Sequence, residues 1–409
     1  MHARLLAGGI NDASWHMMNT VPTTDRLMIP ALSACNFVIG IAAFGIIGLV
    51  EPMGTDMRLT PAQTGQLLTV YAVAYAILSP LLIASTGQIG RRRIMALGFV
   101  FVALAAAISA LSPTLTGLNI ARVLAAAGAG IFTPLAAAVA AGLTAEENRA
   151  KVLAAVFFGL TLSQVIGVPA TSWIAYTFGW RWAFWLIVAL AVPCVWLIWT
   201  RVPAGLKFQP VTLADLRDVV GEGRVMLAIG FTGSFIGAQY VLFTYITPLL
   251  SSTMGFGRDG IALTLMVAGF GAVAGNILGG YLSDRFGWRI TLTGLCLFQM
   301  GMMPMFSLLP VSVPVLLFMV AIWAMGGWSF MAAQQVRLFA MAGHRAPVVL
   351  ALNAAAIYVG AAIGSAVGGL MITGYGLSSL GAAAGVGALF ALIHLTLSAR
   401  LSPLNEARP

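Results

Sequence analysis

The chemistry available to this chain is narrow. Its 409 residues include 21 Lys or Arg, 12 Asp or Glu and 4 His, and nearly all of these fall in short breaks between long apolar runs. Arg122 is the exception, standing well inside a run. An isolated charge there needs a partner or a wet cavity, so it either contacts solute and takes part in coupling or anchors neighbouring helix carbonyls. Glu51 and Asp56 close the first run, Asp284 lies in a break, and His394 sits near the end of the last run. Cys35, Cys194 and Cys296 lie within apolar runs and offer neither disulfide nor metal-ligand spacing. No carboxylate pair, nucleophile–base set or metal cluster can be assembled at depth from this inventory. No Gly-x-x-x-x-Gly-Lys-Ser/Thr phosphate loop is present either. The expectation is a non-enzyme with no cofactor and no metal.

Recognition is what remains. Asn36, Tyr71, Tyr75, Gln164, Gln239, Tyr240, Trp328, Gln335, Asn353 and Tyr358 are polar or aromatic side chains inside apolar runs, each able to line a cavity or to bond between helices. Tyr71 and Tyr75 are one helical turn apart and share a face. Amides and aromatics without acids suit a neutral or amphipathic small molecule better than a strongly basic one.

The elements that must position these groups follow from composition. The chain is 60% apolar and 8% charged, against roughly 25% charged in a soluble domain. A soluble globule and a disordered chain are both excluded, which leaves the lipid bilayer as solvent. Continuous apolar runs without alternation point to helices rather than a barrel. The spans are read as 28–50, 62–86, 94–112, 117–142, 150–177, 182–200, 225–250, 259–283, 290–309, 312–335, 348–373 and 378–398. Each can cross about 30 Å of hydrocarbon.

The net charge of +9 is an orientation signal, not a nucleic-acid footprint. With twelve spans and both termini cytoplasmic, the inner segments hold 17 of the 21 Lys and Arg and the outer loops only Arg58, Arg181 and Arg258, a strong positive-inside split. The predominance of Arg over Lys, with abundant Ala and Gly, points to a GC-rich bacterial genome and so to a bacterial inner membrane. Residues 1–25 lack the apolar core of a cleavable signal and read as a tail, with Met17 or Met18 an alternative start. The most hydrophilic stretch, 201–224, reads as a cytoplasmic linker carrying a short amphipathic helix at Leu213–Val220. It divides a first six-helix bundle (26–200) from a second (225–400), followed by a short tail (401–409). Gly90 and Gly287, Gly130 and Gly327, and Gly167 and Gly364 all share the offset 287 − 90 = 197, which suggests an internal repeat.

Four stretches carry a more specific pattern. Gly280-Tyr-Leu-Ser-Asp284-Arg285-Phe-Gly287-Trp-Arg289 has glycines for a tight turn and an acid able to sit against a helix N-terminus or an Arg. Its counterpart around Gly90, Arg91 and Arg92 keeps the Gly and the basic residues but has Gly87 where the acid should be. Ala121-Arg122 leads into Gly128-Ala-Gly130. Gly159-Leu-Thr-Leu-Ser-Gln164-Val-Ile-Gly167-Val-Pro169 has small residues for close packing and a proline that interrupts the helix. Phe178-Gly179-Trp180-Arg181-Trp182-Ala-Phe184 follows.

Taken together, these stretches resemble the loop, fourth-helix and fifth-helix motifs of the major facilitator superfamily, and most of all its twelve-span bacterial drug- and sugar-efflux proton antiporters, including arabinose-efflux-like permeases. The resemblance covers residues 26–400. It implies an all-α membrane protein of twelve transmembrane helices in two pseudo-symmetric six-helix bundles, working as a monomer by alternating access. It further implies export of a small organic solute against protons, with Asp284 and its loop latching the cytoplasmic side. One departure matters. Relatives carry a first-helix acid in a Thr-Ala-Glu-Phe-like run, and here the run is Ile41-Ala42-Ala43-Phe44. Glu51 is then the best remaining proton carrier, its alternative being a solvated helix-end carboxylate. Uniport or import on the same fold, and a non-transporting sensor, stay open as alternatives.

Overall fold

Each long apolar run becomes helix in the computed structural model, which describes residues 27–86, 89–145, 148–206, 213–342 and 345–401. The proposed tail 1–25, all of the proposed tail 401–409 except Leu401, and the loop residues Gly87 and Gln88 lie outside the described residues. No strand occurs among the described residues. In chain order the spans are α1 (Met28–Met57), α2 (Pro61–Ser85), α3 (Arg91–Leu111), α4 (Leu115–Gly142), α5 (Lys151–Phe178), α6 (Trp180–Arg201), α7 (Gly223–Met254), α8 (258–286), α9 (288–308), α10 (Val313–Ala342), α11 (Ala346–Tyr375) and α12 (Ser379–Leu401).

Local chemistry sets the ends. Thr60 caps α2 in a reciprocal box with Gln63, and Thr114 caps α4 by accepting from the Gly117 N–H. The run Arg258–Leu308 is 51 residues, roughly 75 Å if straight, far more than a bilayer core. It breaks at Gly287, whose φ of 73° and ψ of 163° is a conformation glycine reaches without a Cβ penalty. That break makes the eighth and ninth spans. In α5 the helix widens to a π-turn over Ser163–Gly167 immediately before Pro169. The wide turn precedes the residue that has no N–H to donate.

Two spans run longer than the sequence reading allowed. α1 continues to Met57, which takes Glu51 into the helix. α10 continues to Ala342, so Arg337 is not a loop charge but a fully buried residue in a span. Arg122 is therefore not alone. Arg337 sits 4.7 Å above the Trp288 ring and donates to Ser398 Oγ at 2.5 Å. The apolar stretch after it (Leu338, Phe339, Ala340, Met341) keeps the helix at depth.

In the first half, α1 packs on α5 and α6, α2 on α4, and α3 on α4 and α6; in the second, α7 packs on α11 and α12, α8 on α10, and α9 on α12. The repeat is built into the crossings. An added Cβ at Gly40 would strike Ser163, one at Gly360 would strike the Gly233 backbone, and one at Gly237 would lie 3.4 Å from the Gly360 carbonyl oxygen; Gly40 and Gly237, and Ser163 and Gly360, are each 197 apart. Between halves, α2 meets α11, α8 meets α5 and α1 meets α7, the pattern a pseudo-two-fold axis requires. The short helix Leu213–Val220 forms where the linker reading placed it. Its Val219 joins a small core with Val225, Ile229, Leu338 and Val349. Outward-facing positions remain apolar, among them Ile77, Ile120, Trp196, Ile277, Phe318 and Leu370, a surface suited to lipid rather than water.

Candidate functional site

A small cavity of about 30 Å³ lies between the halves, bounded by α5, α7, α8 and α10. The π-turn of α5 contributes Gln164, α7 contributes Gln239, Tyr240 and Phe243, and α10 contributes Trp323, Gly327 and Trp328. α5 and α8 come this close because residue 269 is glycine. A Cβ there would lie 2.5 Å from the Val165 Cα and 2.7 Å from the Gln164 carbonyl oxygen. Of the candidates read from the sequence, Gln164, Gln239, Tyr240 and Trp328 thus share one wall system. No Asp, Glu, Lys, Arg or His lines it.

Tyr71, Tyr75 and Tyr358 form a second cluster where α2 meets α11. Tyr75 and Tyr358 stack at 3.8 Å, Tyr71 lies 6.2 Å from Tyr358, and Phe44 lies 6.4 Å from it on the α1 side. Arg122 stands behind this cluster, 3% exposed, with its guanidinium 5.4 Å from the Tyr71 ring and 6.0 Å from that of Phe184. Its Nη2 donates to the Ala42 carbonyl at 2.8 Å, while Nη1 has no partner. The next residue is Ala43, fully buried, where the resembling run carries its acid. The arginine is in place and the carboxylate is not.

Asn36 and Asn353 serve helix contacts instead. Asn36 donates to the Val156 carbonyl at 3.0 Å and accepts from Thr133 at 3.1 Å, and Asn353 accepts from Thr232 at 2.5 Å. Gln335 is exposed, whereas its neighbour Gln334 is buried and donates to the Ala228 carbonyl at 2.8 Å. His394 lies between α12 and α7, against Ser234 at 2.7 Å and the Leu227 carbonyl at 2.9 Å.

The two ends of the inter-half seam differ. Facing away from the linker, Glu51 of α1 accepts from Tyr176 of α5 at 2.6 Å and from Ser251 of α7, a bond across the halves. One turn below, Thr247 donates to the Ile47 carbonyl at 3.1 Å. Ser365 of α11 donates to the Gly65 carbonyl at 3.0 Å and accepts, through its own carbonyl, from Tyr245 at 2.8 Å. Asp56 pairs with Arg181 at 2.6 Å and accepts from the Trp180 Nε1–H at 2.9 Å. Sequence reasoning missed Tyr176, Ser251 and Trp323.

On the linker side, Asp284 is exposed and has no hydrogen-bond or ion-pair partner among the described residues. Arg285 and Arg289 lie over Phe286 and Trp288 at 5.7 and 5.2 Å. Arg92 lies 4.7 Å above Trp199, and the Arg91 backbone N–H reaches the linker carbonyl of Leu206 at 3.3 Å. Gly90 caps α3, and Gly280 has open space around it. Gly159 and Gly167 let α5 close on α1, against the Ser33 carbonyl and the Ile41 side chain.

The Major Facilitator Superfamily profile matches residues 32–349. The inner membrane transport protein YdhP of Escherichia coli O157:H7 is 29% identical over 375 residues, 91% of this chain and 96% of that protein. A chloramphenicol resistance protein of Streptomyces lividans is 29% identical over 268 residues, 63% of this chain and 67% of that protein. Among solved structures, a D-xylose–proton symporter superposes with a TM-score of 0.71 at 18% identity, over 93% of this chain and 98% of that one.

Proposed function

The chain belongs to the Major Facilitator Superfamily, and from that premise we propose that it exports a small organic solute across the bacterial inner membrane, in exchange for protons, by alternating access. Membership makes it a multi-pass membrane transporter and not an enzyme. Direction, coupling and sidedness are the proposal. The observation that carries it is the uneven seam: a cavity between two halves, closed by hydrogen bonds on the face away from the linker, with Asp284 on the linker face unpaired among the described residues. The linker face carries the excess of positive charge and is assigned to the cytoplasm, so this is the state that loads from inside. A relative named for chloramphenicol resistance favours the outward direction.

Glu51 carries the proton in this reading. In the closed far face its two oxygens are taken up by Tyr176 and Ser251. Parting α1 from α7 removes the Ser251 bond and turns the carboxylate toward outside water. Pairing an acid with a change of access is what coupling requires.

The test is solute movement in sealed proteoliposomes, with and without an imposed pH gradient. The expected result is accumulation driven by the gradient and loss of that drive in Glu51→Gln. The unpartnered Nη1 of Arg122 beside Ala43 favours a second reading, uncoupled facilitated diffusion on the same fold. Transport that is saturable but unchanged when the proton gradient is collapsed supports that second reading and sinks the first.

A further inference from the structure

Three side chains of the cavity carry polar hydrogens that have no partner among the described residues. The Trp323 Nε1, the Gln239 Nε2 and the Tyr240 hydroxyl are buried and unpartnered, on residues that are 2%, 7% and 2% exposed, and all three residues line the same space. An indole N–H can only donate, an amide NH₂ can only donate, and a phenol donates most readily. Buried donors left unpaired cost free energy, so three around one cavity define what a solute there must bring.

The donors are held in place. Trp323 is wedged edge-on between Phe243 at 5.8 Å and Phe306 at 5.3 Å, and Gln299 Nε2 donates to its carbonyl at 3.0 Å. Tyr240 packs edge-on against Phe243 at 5.7 Å. Gln239 fits because residue 327 is glycine, since a Cβ there would come within 3.0 Å of its Oε1. The rest of the wall is aromatic or aliphatic, and it contains no ionised group that could balance a charged solute taken out of water.

Resting on the transport reading above, we propose that the cavity selects neutral, flat solutes that present a strong hydrogen-bond acceptor, a carbonyl or sulfonyl group on an aromatic body, and that Trp323, Tyr240 and Gln239 set this specificity. The space beside these donors is about 30 Å³ in this state, well short of the roughly 300 Å³ of a drug-sized site, so the walls must part further for a solute to enter. Aromatic walls can also hold an organic cation by cation–π attraction, but a cation leaves the three donors unpaired and adds a hydrogen of its own against them.

The experiment uses the full chain in lipid nanodiscs, with empty nanodiscs subtracted. Binding is measured for four probes of one shape: 2-acetylnaphthalene, 2-ethylnaphthalene, 2-naphthoate and 2-(aminomethyl)naphthalene. The acetyl compound should bind saturably and at least about tenfold more tightly than the other three. Tyr240→Phe keeps the ring and Gln239→Met keeps the side-chain length, and each removes one donor. Each should weaken the acetyl probe about fivefold, the ratio a single hydrogen bond commands, and leave the ethyl probe unmoved. Equal binding of acetyl and ethyl probes, preference for the amine or the carboxylate, no saturable binding, or no response to either variant overturns the proposal. Selective binding without movement in proteoliposomes sinks the transport reading and leaves this one standing; movement without selectivity does the reverse.

Discussion

The two faces of this molecule are built on opposite principles. Away from the linker, the halves are joined by hydrogen bonds to backbone carbonyls and to one carboxylate, with glycine at residue 65 so that Tyr245 can lie against α2. At the linker face, Arg92, Arg285 and Arg289 lie over aromatic rings of their own half, and Asp284 has no partner among the described residues. One face is tightly zipped; at the other, no hydrogen bond between side chains of the two halves occurs among the described residues. A transporter must be able to exchange those roles, and the comparison says which contacts pay for the exchange. Those contacts are the cross-half bonds of Glu51, Thr247, Ser365 and Tyr245.

Four substitutions test the comparison, with Thr247→Cys as a reporter of far-face opening to a membrane-impermeant thiol reagent; the native cysteines are buried. The largest effect is expected from Gly65→Ala. Its Cβ would overlap the Tyr245 ring, which is pinned to the Ser365 carbonyl at 2.8 Å. Overpacking of this kind costs about 1–3 kcal/mol, so labelling should rise by about ten- to a hundredfold; unchanged labelling would mean that the seam is soft there. Glu51→Gln comes next. It keeps the shape but replaces two charge-assisted bonds with neutral ones, and about 1–2 kcal/mol predicts roughly tenfold faster labelling. Asp56→Asn should do little. The pair with Arg181 is about half exposed, with side chains 52% and 41% accessible, and such pairs contribute less than about 1 kcal/mol. A change above about fivefold would place it in the seal after all. Asp284→Asn should not change labelling at all, because the acid is unpaired in this state, yet it should slow turnover if the acid latches the opposite one.

Much of the fold was legible in the sequence because the bilayer imposes a length and a polarity on every span. The twelve runs, the linker helix at Leu213–Val220 and the break at Gly287 all follow from patterns that act locally. The misplaced end of α10 shows where that logic stops. Arg337 looks like a boundary in a hydropathy window, but the apolar residues after it and a stack on Trp288 hold it at depth. The candidate site was legible only in part. Gln164, Gln239, Tyr240 and Trp328 come together because amides and aromatics inside apolar runs are scarce enough to stand out. Trp323 did not stand out, being one more aromatic residue in an apolar helix, although an indole N–H always raises the question of its partner. Asn36 and Asn353 carry the same sequence signal as the cavity residues and serve helix packing instead, since composition cannot say which way a side chain faces. Tyr176 and Ser251 became visible only when α5 and α7 were brought to Glu51, a matter of tertiary arrangement.

The most direct measurement is transport by a protein whose far face can be locked. Ile47→Cys and Thr247→Cys place thiols on α1 and α7 where the Thr247 hydroxyl meets the Ile47 carbonyl at 3.1 Å. Solute flux in proteoliposomes should stop when the pair is oxidised and return on reduction, with each single variant unaffected. Flux that continues through the oxidised protein would contradict a pathway that opens by parting these two helices.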